Sequence, residues 1–348
     1  MDMSQPALDA FRADAAPSVT LRAPGRLHLG FLDPAASLGR RFGSLGLVID
    51  GFETEVVLSA AAANQVSASG VAEQAEAERA NAYLQRLQQH SGRHAPLHLA
   101  LLRVLPAHAG FGSGTQLALA IGRAFAQWHG LDITTPTLAQ WLGRGSRSGI
   151  GIAGFDHGGL LVDGGPGGAG GQGGGAPAPL LARLPLPEAW RILVVQDSAQ
   201  HGLSGAGERD AIATLAPLPQ TLAADICHQV LMRVLPGAAC AEFAPFAAGI
   251  SHIQQLLGAH FASAQGGSAF TSVAVGRLIE WIAAAGHGAA TGQSSWGPTG
   301  FAILPSQAQA EAVVEAARTA HVVAAGLTLN IVAGRNHGAT VIDSRHTN

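Results

Sequence analysis

Lysine is absent from this chain; all 20 basic residues are arginine. That excludes a phosphate-binding loop built on lysine, a pyridoxal-phosphate Schiff base and a lysine nucleophile. Any anionic ligand must be held by arginine, histidine, backbone N–H groups or a metal, and arginine's planar fork suits phosphate and carboxylate oxygens. Charge of either sign is scarce: 12% of residues are charged, against ~25% in ordinary globular chains. The formal net charge of -3 leaves no basic surface for nucleic acid. Only two cysteines occur, Cys227 and Cys240, and they read as isolated, buried, reduced thiols. No apolar run approaches the ~18 residues of a membrane span, and the first residues lack the pattern of a secretory signal. The expectation is a cytoplasmic protein with small-molecule partners and no membrane partner.

What is present is a long, apolar chain. Its 348 residues, 47% of them hydrophobic, suffice for two domains or one large one. Its centre is Pro106-Ala-His-Ala-Gly-Phe-Gly-Ser-Gly-Thr-Gln116. A strand-like run, residues 97–105, leads in. Residues 117–129 lead out, with Leu117, Ile121, Ala124, Phe125 and Trp128 at helical spacing and Gly130 at the C-cap position. Gly110, Gly112 and Gly114 permit positive φ and close approach of backbone to ligand. Ser113 and Thr115 either cap the helix or bind. Free N–H groups and the positive helix end then face one point, which suits a phosphate; a plain strand-to-helix turn is the competing reading.

Elsewhere the sequence offers further polar clusters. Alternation in Ala23-Pro-Gly-Arg-Leu-His-Leu-Gly30 puts Arg26 and His28 on one strand face, two cations that invite an anion. Residues 143–159 gather Arg144, Ser146, Arg147, Ser148 and Asp156 among glycines, as in a ligand-wrapping or solvated loop. Residues 164–179 contain nine glycines and three prolines and read as a dispensable insertion. Asp197, His201 and Glu208 flank another loop, which runs into a helix at 206–215. A second glycine- and serine-rich turn, residues 289–300, precedes a strand. Strands and helices do not alternate as βαβ units, so the class expected is α+β.

Three stretches together resemble the GHMP small-molecule kinase superfamily: Ala23-Pro-Gly-Arg26, residues 106–114 and the later glycine-rich turns. Those kinases usually carry a second serine where Gly114 stands. That departure, with Gly143-Arg-Gly-Ser-Arg-Ser-Gly-Ile-Gly151, Gln293-Ser-Ser-Trp-Gly-Pro-Thr299 and Gly334-Arg-Asn-His-Gly-Ala339, resembles one branch, the β-ribofuranosylaminobenzene 5′-phosphate synthases of tetrahydromethanopterin biosynthesis. The resemblance covers nearly the whole chain. It implies a GHMP-kinase-like two-domain fold: a leader (1–17), a ribosomal-protein-S5-like domain (18–185) and a ferredoxin-like domain (186–348).

It also implies a reaction. Phosphoribosyl pyrophosphate condenses with 4-aminobenzoate or 4-hydroxybenzoate to a C-riboside 5′-phosphate, with loss of CO2 and pyrophosphate and with Mg2+ as cofactor. Gly110, Gly112, Ser113, Gly114, Thr115 and Gln116 are then expected to hold pyrophosphate, and Arg144, Arg147 and Ser148 to hold phosphate groups. Ser294, Ser295 and Trp296 are expected to close the pocket, with Trp296 stacking on the aromatic acid. Arg335 and Asn336 are expected to contact substrate. Arg26 and His28 would bind a carboxylate or assist the leaving group, and Asp156 would bind Mg2+ with Thr115 or move a proton. A homodimer is expected as the commonest assembly. Two other classes compete: an ATP-dependent GHMP kinase and a non-catalytic sensor.

Overall fold

The computed structural model describes residues 17–167, 178–200, 202 and 215–346. The first half runs β1 (Ser18–Asp33), β2 (Phe42–Ala60), β3 (Gln65–Ala68), α1 (Val71–Ser91), β4 (Leu97–Arg103) and α2 (Ser113–His129). It continues through α3 (Thr135–Trp141), α4 (Ile150–His157), β5 (Leu160–Asp163) and β6 (Leu180–Leu184). The second half begins with β7 (Arg191–Asp197). Next comes α5 (Gln220–Gln229), which passes through a π-turn at Val230–Val234 into α6 (Leu235–Ala239). The rest is α7 (Phe243–Phe261), α8 (Val273–Ala284), β8 (Ala290–Gln293), β9 (Gly300–Leu304), α9 (Gln307–Thr319), β10 (Leu327–Ala333) and β11 (Thr340–Asp343).

These elements make a two-domain α+β fold with two sheets. One is ordered β11-β1-β2-β4-β3, with β5 and β6 attached beside β2. The other is ordered β10-β7-β9-β8, all antiparallel. Counted along the second half, its strands lie fourth, first, third, second, which is the ferredoxin-like order. Alternation shows how the core is built. Ile192 and Val194 of β7 and Phe301 and Ile303 of β9 face the first half, where they join Leu27, Leu29, Leu45 and Leu47 in one core. Their neighbours Leu193, Val195, Ala302 and Leu304 face α8 and α9. Each such side chain removed from water contributes ~1.5–3 kcal/mol, so the two domains are joined by their main core.

One irregularity in β1 aims the site. Val19, Leu21 and Ala23 pack under α1 and α2, whereas Leu27 and Leu29 face the opposite core. The parity changes because the register shifts between Pro24 and Arg26, and a bulge turns every later side chain over. Arg26 and His28 are thereby sent to the side from which α2 begins.

The structure departs from the sequence reading in several places. Residues 150–157, read as loop, form α4. Its glycines are packing notches: a Cβ on Gly154 would stand 2.9 Å from Val48, and one on Gly151 3.1 Å from Thr115. Cys227 is half-buried and Cys240 exposed; both are free. The middle of the glycine-rich insertion, His201, Glu208 and most of the 206–215 helix lie outside the described residues. No described helix is long and apolar enough to cross a membrane.

The chain's end also differs from the reading that gave all of 186–348 to the second domain, because β11 pairs with β1 in the first sheet. The segment leading to it is a lock, and this corrects the assignment of Arg335 and Asn336 to substrate. Arg335 is buried, 3.4 Å from Glu53 and 4.0 Å from Asp50, and it donates to the Gly338 carbonyl. The Asn336 amide bonds both backbone groups of Leu186, at 2.7 and 2.9 Å. Neither side chain lines the cleft described below. Asn336→Ala should therefore lower unfolding free energy by ~1–3 kcal/mol, the cost of leaving such groups unpaired. Urea denaturation measures this, and substrate KM should stay at the wild-type value.

Candidate active site at the meeting of the two domains

Helix α2 starts with glycine for steric reasons. Gly110 has φ 93°, and a Cβ there would stand 2.6 Å from the Ser294 carbonyl of the other domain. Gly112 is the N-cap and supplies no side-chain cap; its carbonyl accepts from Thr115 and Gln116 N–H. The N–H groups of Ser113 and Gly114 fall in the first turn, where a helix offers no acceptor, at the positive end of its dipole. Capping does not use the Ser113 or Thr115 hydroxyls, and both residues line the cleft.

Around this turn the side chains are cationic. Arg26 Nη1 donates to the Gly110 carbonyl at 2.6 Å. A Cβ at Gly114 would lie 3.4 Å from the Arg144 guanidinium, so the missing serine is replaced in space by a cation. Arg144 stacks over Tyr83 at 5.4 Å and donates to its hydroxyl. Burial and then Arg79 push the Arg144 pKa down, with Glu76 opposing. Arg79 is paired to Glu76 at 2.9 Å. Ahead of α4, the buried Asp163 carboxylate accepts from Ser148 Oγ (3.1 Å) and from Gly149 and Gly165 N–H (both 2.8 Å). It thereby fixes the loop carrying Arg147 and Ser148. Burial raises the Asp163 pKa and these bonds oppose the rise.

The second domain closes the site through Ser294. Its hydroxyl donates to the Gly110 carbonyl at 2.7 Å and accepts from His28 N–H at 2.9 Å. Ser294 is fully buried and does not line the cleft, so it staples the domains together; Ser295 and Trp296 do line it. Ser295 N–H donates to the His28 carbonyl at 3.1 Å. The result is a cleft of about 600 Å³ walled by Arg26, Arg79, Arg144 and Arg147. Among the described residues no Asp or Glu lines it.

His28 is not the second cation expected on its strand. It is 3% exposed, and neither ring nitrogen has a hydrogen-bond partner among the described residues. Its ring meets Phe31 edge-on at 4.6 Å. Burial first, then Arg26 and Arg147, lower its pKa to about 3, against a weaker opposing effect of the residue's own backbone. The imidazole is neutral at physiological pH and offers one donor and one acceptor.

Other expectations need correction. Asp156 is exposed at the far end of α4, where it accepts from Thr135 Oγ1 at 2.6 Å. Six residues of helix, a rise of ~9 Å, separate it from Ile150 at the cleft end. It neither lines the cleft nor pairs with Thr115. Gln116 is buried and donates to the Gly151 carbonyl at 2.9 Å, tying α2 to α4 and not touching the cleft. Asp197 is engaged by Ser272 Oγ at 2.6 Å. The residues described do not build a Mg2+ site of their own: they hold no cluster of three metal-ligating side chains, and they line the cleft with hydroxyls and imidazoles but no carboxylate, the ligand Mg2+ prefers. Sequence reasoning missed Arg79, Phe31, Tyr83, His108 and Asp163. Arg79 and Tyr83 stand four apart on α1, a helical spacing that was there to be read.

The fold and its glycine turns define a GHMP-kinase-type protein. Family models for the GHMP kinases N terminal domain and the GHMP kinases C terminal match residues 78–159 and 255–323. Phosphomevalonate kinase of Streptococcus pneumoniae shares the fold at TM-score 0.65 and 12% identity, over 92% of this chain and 100% of that one. Homoserine kinase of Cytophaga hutchinsonii shares it at TM-score 0.64 and 17% identity, over 94% and 98%. Closer in sequence are two proteins named beta-ribofuranosylphenol 5'-phosphate synthase. That of Archaeoglobus fulgidus is 34% identical over 83% of this chain and 88% of its own length. That of Methanothermobacter thermautotrophicus is 29% identical over 92% and 98%. The chain belongs to the beta-ribofuranosylphenol 5'-phosphate synthase family of enzymes.

The buried imidazole has a pH signature. Its folded pKa lies below the 6.5 of a free histidine, so the unfolded chain binds a proton that the folded chain refuses. This contribution to stability is complete above pH ~6.5 and is lost as pH falls toward 3, at up to ~1.4 kcal/mol per pH unit. NMR of labelled histidine should show the His28 ring neutral from pH 8 to 5. His28→Phe should flatten this part of the acid limb of stability.

Proposed function

We propose that this chain joins phosphoribosyl pyrophosphate to 4-hydroxybenzoate or 4-aminobenzoate through a carbon–carbon bond, releasing CO2 and pyrophosphate. This is the reaction that family membership implies, a step of tetrahydromethanopterin biosynthesis. The observation that supports it from the structure is the cleft itself: four arginines and the first-turn N–H groups of α2 converge on it, and no described carboxylate does. Such a wall suits a ligand carrying several phosphate charges.

Electron bookkeeping explains why no carboxylate base is needed. The para hydroxyl or amino group pushes an electron pair into the ring carbon that bears the carboxylate. That carbon attacks the anomeric carbon of the sugar. The anomeric carbon–oxygen bond breaks, and its pair leaves with pyrophosphate. The ring then regains aromaticity by expelling CO2, taking back the pair of the carbon–carboxylate bond. The group lost from the ring carbon is CO2, where an ordinary aromatic substitution loses a proton. The role offered to Asp156, removing a proton as the ring rearomatises, is therefore unnecessary.

What this chain's residues supply is binding and charge. Ser113 and Gly114 N–H groups, Arg144 and Arg147 would hold the diphosphate and 5′-phosphate, and Arg26 would favour the negative charge building on the leaving oxygen. Mg2+ is expected to arrive bound to the diphosphate oxygens, since the described residues give it no carboxylate cage.

Carboxyl-labelled 4-hydroxybenzoate tests the reaction. Labelled CO2 should appear only when phosphoribosyl pyrophosphate is added, and ATP should not replace it. ATP consumption on an alcohol, with no CO2, would return the chain to the kinases. Arg147→Lys should weaken phosphoribosyl pyrophosphate binding about tenfold or more, because an ammonium cannot reproduce the two-pronged contact; calorimetric titration reads this directly.

A further inference from the structure

A narrow slot opens off the arginine cleft, and the two share His28, Phe31, Ser295 and Trp296. Its character is different. Among the described residues no charged side chain lines it. Its walls are aromatic and aliphatic: Phe31, Phe261, Trp296 and Leu257, with the Phe261 and Trp296 rings 4.7 Å apart. Three glutamines border it, and the protein already engages their amides. Gln254 donates to the Leu29 carbonyl and accepts from Gln293 N–H. Gln293 donates to Gln265 Oε1 and to the Ser295 carbonyl, and accepts from Thr271 N–H. Gln265 accepts from the Thr271 hydroxyl. His28 is the exception: it is buried, neutral, and has no partner at either ring nitrogen among the described residues.

An uncharged aromatic slot beside a cationic cleft sorts the two ends of an aromatic acid. The carboxylate belongs at the mouth, toward the arginines, where the ring carbon bearing it also reaches the sugar. The flat ring belongs against the aromatic wall that the slot and the cleft share, Phe31 and Trp296. Its polar but uncharged para substituent goes to a group that can hydrogen-bond without charge. We propose that this slot is the aryl subsite, with Phe31, Phe261 and Trp296 as its walls and the His28 imidazole as the hydrogen-bonding partner of the para substituent. This assignment rests on the reading of the reaction given above. Burial, with Arg26 and Arg147 adding to it, keeps the imidazole unprotonated and so preserves its acceptor nitrogen, which can accept a hydrogen bond from a phenol or aniline as electron density moves into the ring.

The test is a set of equilibrium titrations on the full chain, using 4-hydroxybenzoate, 4-aminobenzoate, unsubstituted benzoate and pyrophosphate as separate probes. Wild-type protein should bind the para-substituted acids about tenfold more tightly than benzoate, the worth of one good hydrogen bond. His28→Phe should erase that preference and leave pyrophosphate affinity within about twofold, since no described protein group bonds the ring and none is orphaned. Phe261→Trp, at the last residue of α7, should fill the slot and weaken all three acids together while sparing pyrophosphate. Two results would overturn the subsite: His28→Phe keeping the full preference, or Phe261→Trp and His28→Phe weakening pyrophosphate and leaving the acids unchanged. If wild-type protein binds pyrophosphate but none of the acids, the synthase reading itself falls, and the subsite with it.

Discussion

The Gly110 carbonyl is gripped from both sides, by the Arg26 guanidinium at 2.6 Å and by the Ser294 hydroxyl at 2.7 Å. Nearly everything in the cleft depends on that double contact. It joins a strand of the first domain, the turn before α2 and a turn of the second domain at one oxygen. It also spends part of a cation's bonding on structure, which fixes where the rest of the guanidinium points. The Ser294 hydroxyl both donates to Gly110 and accepts from His28 N–H, so the backbone of the strand carrying Arg26 and His28 cannot shift without breaking it. The apolar core beneath holds the domains together; these few polar contacts set their register.

Electrostatics follow from that arrangement. Four arginines converge in a chain with few charges, and the carboxylates nearby are committed outside the cleft: Glu76 to Arg79, and Asp163 to the loop that carries Arg147. Burial first, and neighbouring arginines second, lower the pKa of Arg144 and of His28. A wall of clustered positive charge suits a polyanion. Burial, with the field of Arg26 and Arg147 added to it, decides what His28 can be. A histidine in this wall stays neutral, and a neutral ring serves recognition of uncharged groups better than it serves neutralisation of phosphate.

Much of this was legible in the sequence, and the failures have physical causes. The strand–turn–helix at 97–129 could be read because periodicity, glycines and the Gly130 cap all agreed. Arg26 and His28 could be placed on one face by alternation, but alternation is silent on burial, and burial is what uncharged His28. Residues 150–157 were lost to glycine: Gly151 and Gly154 look like loop and serve as contact points where α2 and β2 press close. Asp156 was chosen by its place in a motif, yet a helix carries it two turns from where the motif enters the cleft. Arg335 and Asn336 stand in a polar cluster that reads like a binding loop, and tertiary pairing with Glu53 and Leu186 made it a clasp. Charge patterns reveal partners, but only the fold says whether the partner is a ligand or the protein itself.

Gly114 ties these threads together. The related kinases usually place a second serine there, whose hydroxyl would stand at the helix N-terminus. In this chain a Cβ would stand in contact with the Arg144 guanidinium, at 3.4 Å. A positive charge thus lies beside the first turn, with Tyr83 stacked beneath to hold it. A hydroxyl beside a phosphate can share a metal ion; a guanidinium there binds the oxygens itself, with fixed geometry. A kinase must let a phosphoryl group travel, whereas a synthase of this kind must grip a diphosphate while the sugar departs from it. Under the proposed reaction, a glycine at this position with an arginine beside it suits the second task.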